Sequence, residues 1–138
     1  MTGQASDNSY NEGVFVGYRY AGTFGKAPAY GFGFGMSFTT FGYGALRLSG
    51  AASSLTSAMT VKATVTNTGR VAGREVAQLY VTAPHGTLDK PERELRAFAK
   101  TGVLAPGASE TVTFRLSAAD LASFDPSASA WEIGRAHV

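Results

Sequence analysis

Thiols, imidazoles, activated hydroxyls and paired carboxylates do most of the chemistry that side chains do, and in this 138-residue chain they are absent, isolated or poorly placed. There is no cysteine, which removes thiolate chemistry, disulfides and zinc knuckles together. His85 sits between Pro84 and Gly86 with no second histidine in ligand spacing, and reads as a solvated loop histidine. Serines are plentiful, but a serine nucleophile needs a base and a group to orient that base. Asp89, Lys90, Glu92, Arg93, Glu94 and Arg96 alternate in sign; their carboxylates could in principle exchange protons, yet nothing apolar nearby would raise a pKa, so a solvated charged loop is expected. Gly31-Phe32-Gly33-Phe34-Gly35 imitates a phosphate-binding loop until the third glycine, where Met36 stands. The physical reading is a close-packed turn whose glycines admit a neighbour while Phe32 and Phe34 anchor into apolar surface. No catalytic constellation, cofactor site or metal site is expected.

The elements that would position such residues fall into two unlike parts. Eleven of the fifteen Phe and Tyr residues and ten of the seventeen glycines precede Ala45. These rings follow neither a period of 3.6 nor one of 2, so little regular structure is expected there. Each ring buries on the order of 150–250 Å², and the glycines make an autonomous core costly in backbone entropy, so the segment is expected to pack against a neighbour.

From Leu46 onward the pattern is β. Met59, Val61, Ala63 and Val65 alternate with polar residues up to the turn Asn67-Thr68-Gly69, and Ala77, Leu79 and Val81 repeat the pattern. Residues 94–100 read as a weaker strand, because Leu95 and Phe98 break alternation. Pro106-Gly107 suits a type II turn, Val112, Phe114 and Leu116 give another strand, and Ser117 to Asp120 resembles a capped helical turn. Four or five short strands predict an all-β antiparallel sandwich of immunoglobulin or fibronectin type III kind. The net charge of +2 is scattered, so no nucleic-acid partner is expected, and no apolar run approaches a membrane span of about 18 residues. The first residues resemble no secretory signal.

YNEGVFVGYRY (10–20) and AYGFGFGMSFTTFGY (29–43) resemble the stretch that leads into the fibronectin type III-like C-terminal domain of glycoside hydrolase family 3 β-glucosidases. The likeness continues through VTNTGRVAGREVAQLYVTAP (65–84), PERELRAFAKTGVLAPGASETVTFRL (91–116) and LASFDPSASAW (121–131). It implies a parent that hydrolyses terminal β-linked sugars with retention, by an aspartate nucleophile and a glutamate acid/base that both lie upstream of these motifs. Carbohydrate would then be a substrate of the intact enzyme only, and this chain alone is expected to be inactive. Glu12 matches the lead-in motif and not the acid/base motif.

The resemblance implies a linker arm over 1–44 and a fibronectin type III-like domain over 45–131. Residues 132–138 fit nothing in that fold and read like translated sequencing adapter, so a non-native tail and missing final strands are expected. Their loss should uncover Val61, Val65, Leu79, Val112 and Phe114 and leave the isolated polypeptide marginal. Tyr10, Phe15, Tyr18, Arg19, Phe32, Phe34 and Phe38 are the candidates for docking the arm onto upstream hydrolase domains. The alternative is a free-standing fibronectin-like binding or adhesion module that contacts carbohydrate through exposed rings such as Tyr80.

Overall fold

A computed structural model describes residues 11–50, 58–83, 86 and 88–133. Tyr10, His85 and residues 134–138 lie outside that range, and with them the expectations made for them.

The organising strand is β3 (Ala58–Asn67), in which Met59, Val61, Ala63, Val65 and Asn67 point inward while threonines and Lys62 point out. β1 (Phe41–Tyr43) and β2 (Arg47–Ser49) run antiparallel along one edge of β3, pairing Phe41 with Asn67 and Ser49 with Thr60. β6 (Ser109–Ser117) covers the other edge over nine residue pairs, from Ala58 opposite Ser117 to Thr66 opposite Ser109. The second layer is the antiparallel pair β4 (Val76–Val81) and β5 (Glu94–Lys100). Its inward Ala77, Leu79 and Val81, backed by Ala97 and Ala99, meet Val61, Val65, Val112, Phe114 and Leu116 in one apolar core. A last hairpin joins β7 (Ala122–Asp125) to β8 (Ala130–Ile133). The all-β antiparallel class is as the sequence predicts.

Local chemistry explains the joints. Between β3's partners and β6, the Ala108 N–H bonds the Ala105 carbonyl across Pro106 and Gly107, with Gly107 at φ 79°, the conformation a type II turn requires. After β6, Asp120 Oδ2 accepts from both the N–H and the hydroxyl of Ser117, and Ser117 Oγ accepts from the Asp120 N–H, a reciprocal cap on the short 3₁₀ turn Ala119–Leu121. Those bonds hold the Asp120 carboxyl below its ordinary pKa.

Four expectations change. The described residues hold eight strands rather than four or five, because β1, β2, β7 and β8 are too short for period-2 reading. β1 lies inside the segment assigned to the arm, and β8 carries the last hairpin through Glu132 and Ile133, two residues past Trp131. A helix, α1 (Tyr18–Thr23), forms in the aromatic lead-in. The five core residues expected to be uncovered are all buried.

Asn67 joins the lead-in to the sandwich. It is fully buried, and its amide is saturated: Nδ2 donates to the carbonyls of Val71 and Leu104, both at 2.8 Å, while Oδ1 accepts from Thr39 Oγ1 at 2.7 Å and from the Gly69 N–H at 3.0 Å. Its backbone N–H and carbonyl are also paired, with Ala108 and Gly107. Thr39 fits because its neighbours are glycines: a Cβ on Gly69 would stand 2.2 Å from Thr39 Oγ1, and one on Gly73 would stand 2.8 Å from Thr39 Cγ2. Replacing Asn67 by Ala leaves several buried groups unpaired at about 1–3 kcal/mol each. Asn67→Ala is therefore expected to lower the urea midpoint by an amount equivalent to at least about 2 kcal/mol, whereas Thr68→Ala, at an exposed site, should cost well under half of that.

Candidate docking surface

The outward face of β4–β5 is where the lead-in meets the domain, and a bulge shapes it. The register steps between Leu79, which faces Ala97, and Tyr80, which faces Leu95, so Arg96 is the extra residue. With one residue looped out, Leu95 and Phe98 pair with Tyr80 and Gln78 and lie on the same outer face, while Ala97 and Ala99 back the core. The broken alternation in this strand is thus the trace of the bulge.

Helix α1 sits against this face. Tyr18 accepts the Leu95 N–H on its hydroxyl oxygen at 2.9 Å, and its ring meets Tyr80 edge-on at 5.6 Å. Arg93 lies over the Tyr80 ring, 5.9 Å from its centre. Burial, with Tyr18 beside it, raises the Tyr80 pKa against the opposing effect of Arg93. Thr23 Oγ1 takes the Glu92 N–H at 3.0 Å, and Arg19 reaches Glu94 at 3.2 Å while Arg96 bonds the other oxygen of the same carboxylate. Asp89, Glu92 and Arg93 are exposed, as a solvated loop requires, but Glu94 keeps only 17% of its side chain exposed, and two arginines from different segments share that shielded acid. Arg19 Nε, itself buried, has no hydrogen-bond partner among the described residues.

Beyond α1 the rings turn outward. Phe15 packs edge-on against Phe24 at 5.3 Å, and Phe32 tilts over Tyr18 at 6.4 Å. The glycine-rich stretch is a turn, closed by Phe34 N–H to the Gly31 carbonyl at 3.0 Å, with Gly33 at φ 82°. It is this positive φ that favours glycine at 33, since the Gln78 Nε2 that a Cβ would meet at 2.7 Å is the end of a flexible side chain. Phe34 stacks on Tyr30 but stays 74% exposed, Phe38 is 89% exposed, and Met36 is almost wholly so. With Phe98 of β5, 72% exposed, they border an open groove of about 1180 Å³ between the turn and the sheet.

Of the candidate docking residues, Tyr18 and Arg19 are therefore engaged by the chain's own sheet, Phe15 by a ring within the lead-in, and Phe32, Phe34 and Phe38 rim the groove. Tyr80 is covered by Tyr18 and Arg93, which removes it as an exposed sugar platform. Phe98 and the Asn67–Thr39 bond escaped the sequence reading. Asn-Thr-Gly followed by a second glycine at 73 is the local signal that a partner approaches there.

The Fibronectin type III-like domain family matches residues 75–137. The chain carries a fibronectin type III-like domain. Its lead-in belongs with it, because the likeness to β-glucosidases runs through both. The chain is 46% identical over 123 residues to a β-glucosidase of Rhizobium radiobacter, a match that takes in 89% of this chain and 15% of that protein. Among solved structures, β-glucosidase 3B of Thermotoga neapolitana, in complex with α-D-glucose, is 48% identical with a TM-score of 0.76 over 84% of this chain and 16% of its own. A glycoside hydrolase family 3 β-glucosidase of Bifidobacterium adolescentis gives 38% and 0.77 over 88% of this chain and 18% of its own. The fibronectin type III-like domain and its lead-in thus span about a sixth of the length of these relatives.

Two outcomes test the geometry. Tyr18→Phe keeps the ring and loses the hydroxyl oxygen that accepts the Leu95 N–H, so it should cost about 1 kcal/mol and speed hydrogen exchange at the Leu95 amide. Tyr43, at the mouth of the groove, is raised to about 12 by partial burial and by the Glu75 carboxylate beside it. The neutral phenol is favoured by folding, so its contribution is intact below about pH 10 and declines between about pH 10 and 12; Tyr43→Phe should flatten that decline in pH-dependent denaturation.

Proposed function

We propose that this chain is a non-catalytic scaffold of a β-glucosidase-type hydrolase, with an arm up to residue 40 and a fibronectin type III-like domain from Phe41, and that Phe32, Phe34 and Phe38 dock it onto the domains that carry the chemistry. The parent reaction would be hydrolysis of terminal β-linked sugars with retention, for which two carboxyl groups stand about 5–5.5 Å apart. The observation that carries the proposal is the way the lead-in is held: Tyr18 fastens it to Leu95 and Thr39 to Asn67, while the stretch between them presents bare aromatic rings. Rings held in place and left uncovered mark an interaction surface. The small share of each relative that the chain matches, about a sixth, supports the same reading. The adhesion-module alternative relied on Tyr80, whose ring is covered.

The test is a graft. The Rhizobium radiobacter relative, shortened by the region this chain matches, should hydrolyse p-nitrophenyl β-glucoside poorly, and placing this chain in that position should restore activity. The chain alone should show no turnover. Phe32→Ser, Phe34→Ser and Phe38→Ser together should cut the restored activity at least about tenfold, equivalent to about 1.4 kcal/mol of lost docking. Full activity in the triple variant would defeat the proposal.

A further inference from the structure

A second cleft, of about 790 Å³, opens between residues 11–15, the loop at 88–91 and the β7–β8 hairpin. Its wall is a cross-strand pair, Phe124 opposite Trp131, with the rings edge-to-face at 5.5 Å. That contact braces the indole while 67% of Trp131 remains exposed along the cleft. Around it stand Glu12, Asp89 and Lys90, and no ion pair or side-chain hydrogen bond commits any of the three among the described residues. The Glu94 and Arg96 that line the far side are by contrast tied to each other.

A rigid aromatic plane flanked by free carboxylates and an ammonium suits a ligand with an apolar face and a polar rim. A pyranose with equatorial substituents has that shape: its axial C–H bonds make both ring faces apolar, and its vicinal hydroxyls lie around the edge, where a carboxylate accepts two of them and Lys90 donates to a third. A β-linkage keeps successive rings extended and flat. The cleft's volume lies in the range of small-ligand sites and suits two or three such rings. A peptide would need backbone donors and acceptors along the walls, and a nucleotide would meet two carboxylates.

We propose that this cleft binds β-linked gluco-oligosaccharides, with Trp131 as the stacking plane and Glu12, Asp89 and Lys90 as hydroxyl partners. The choice of sugar rests on the proposed function; the site itself does not. Trp131 is the chain's one tryptophan, so its emission reports the site without labelling. Cellotriose titrated into the full chain should shift that emission saturably, with a millimolar Kd, and sorbitol at equal mass should not. Asp89→Asn should weaken binding about fivefold or more, equivalent to about 1 kcal/mol for a hydrogen bond to a charged group. Trp131→Ala, with folding checked by circular dichroism, should abolish saturation transfer from protein to sugar in NMR. No saturable response up to tens of millimolar, or an equal response to sorbitol, would overturn the site. Sugar binding by a chain that fails the graft would leave this inference standing and remove the docking proposal; a successful graft without sugar binding would do the reverse.

Discussion

A single buried amide ties the two halves of this chain together. Asn67 ends β3, and from there it holds the carbonyls of Val71 and Leu104 and the hydroxyl of Thr39. Leaving such a group unpaired inside a protein costs more than any one of its bonds contributes, which makes the arrangement nearly all-or-none. The turn after β3, the loop before β6 and the last residues of the lead-in are therefore fixed relative to one another. Two glycines, at 69 and 73, complete the joint by leaving room for Thr39. The start of β1, and with it the edge of the three-deep layer built on β3, follows from where Thr39 is held.

The same logic of two anchors governs the aromatic lead-in. At one end α1 lies on the bulged strand, with Tyr18 capping a backbone N–H and Arg19 sharing Glu94 with Arg96. At the other end stands Thr39. The rings between are not folded into the core: Phe34 stacks on Tyr30 and Phe32 leans over Tyr18, yet most of their surface stays exposed. Gln78 meets the turn at Phe32 through a long 3.5 Å contact to its carbonyl, while Phe34, Met36 and Phe38 stay exposed along the groove. Hydrophobic side chains without an internal place, on a backbone that has one, are the basis on which this surface is proposed to dock.

Charge is distributed to the same end. Among the strands of six or more residues, β4 has no charged side chain, and its inward residues are buried to within a few per cent. The acids and bases gather on β5 and the loop before it. Some are spent on holding the lead-in, as Glu94 and Arg19 are, and others, Asp89 and Lys90, are left at the cleft beside Trp131. The solvated-loop expectation holds for Asp89, Glu92 and Arg93 and fails for Glu94 and Arg96, because sequence order does not show which members another segment will cover.

The long strands and their inward faces were legible in the sequence because a buried sheet face imposes period 2 over many residues, as in β3, β4 and β6, and because Pro106-Gly107 and Ser117 to Asp120 carry their own turn and cap chemistry. The division between a ring-rich lead-in and a β domain was equally visible in composition. Tertiary structure alone decided that Phe41 already belongs to the sheet, that Arg96 bulges out so that Leu95 and Phe98 share a face, that Asn67 reaches Thr39 across 28 residues, and that Tyr80 lies under Tyr18. Local pattern records what a residue's neighbours in the chain require of it. Which rings are covered and which remain bare depends on segments brought together from far apart, and only the folded chain sets that.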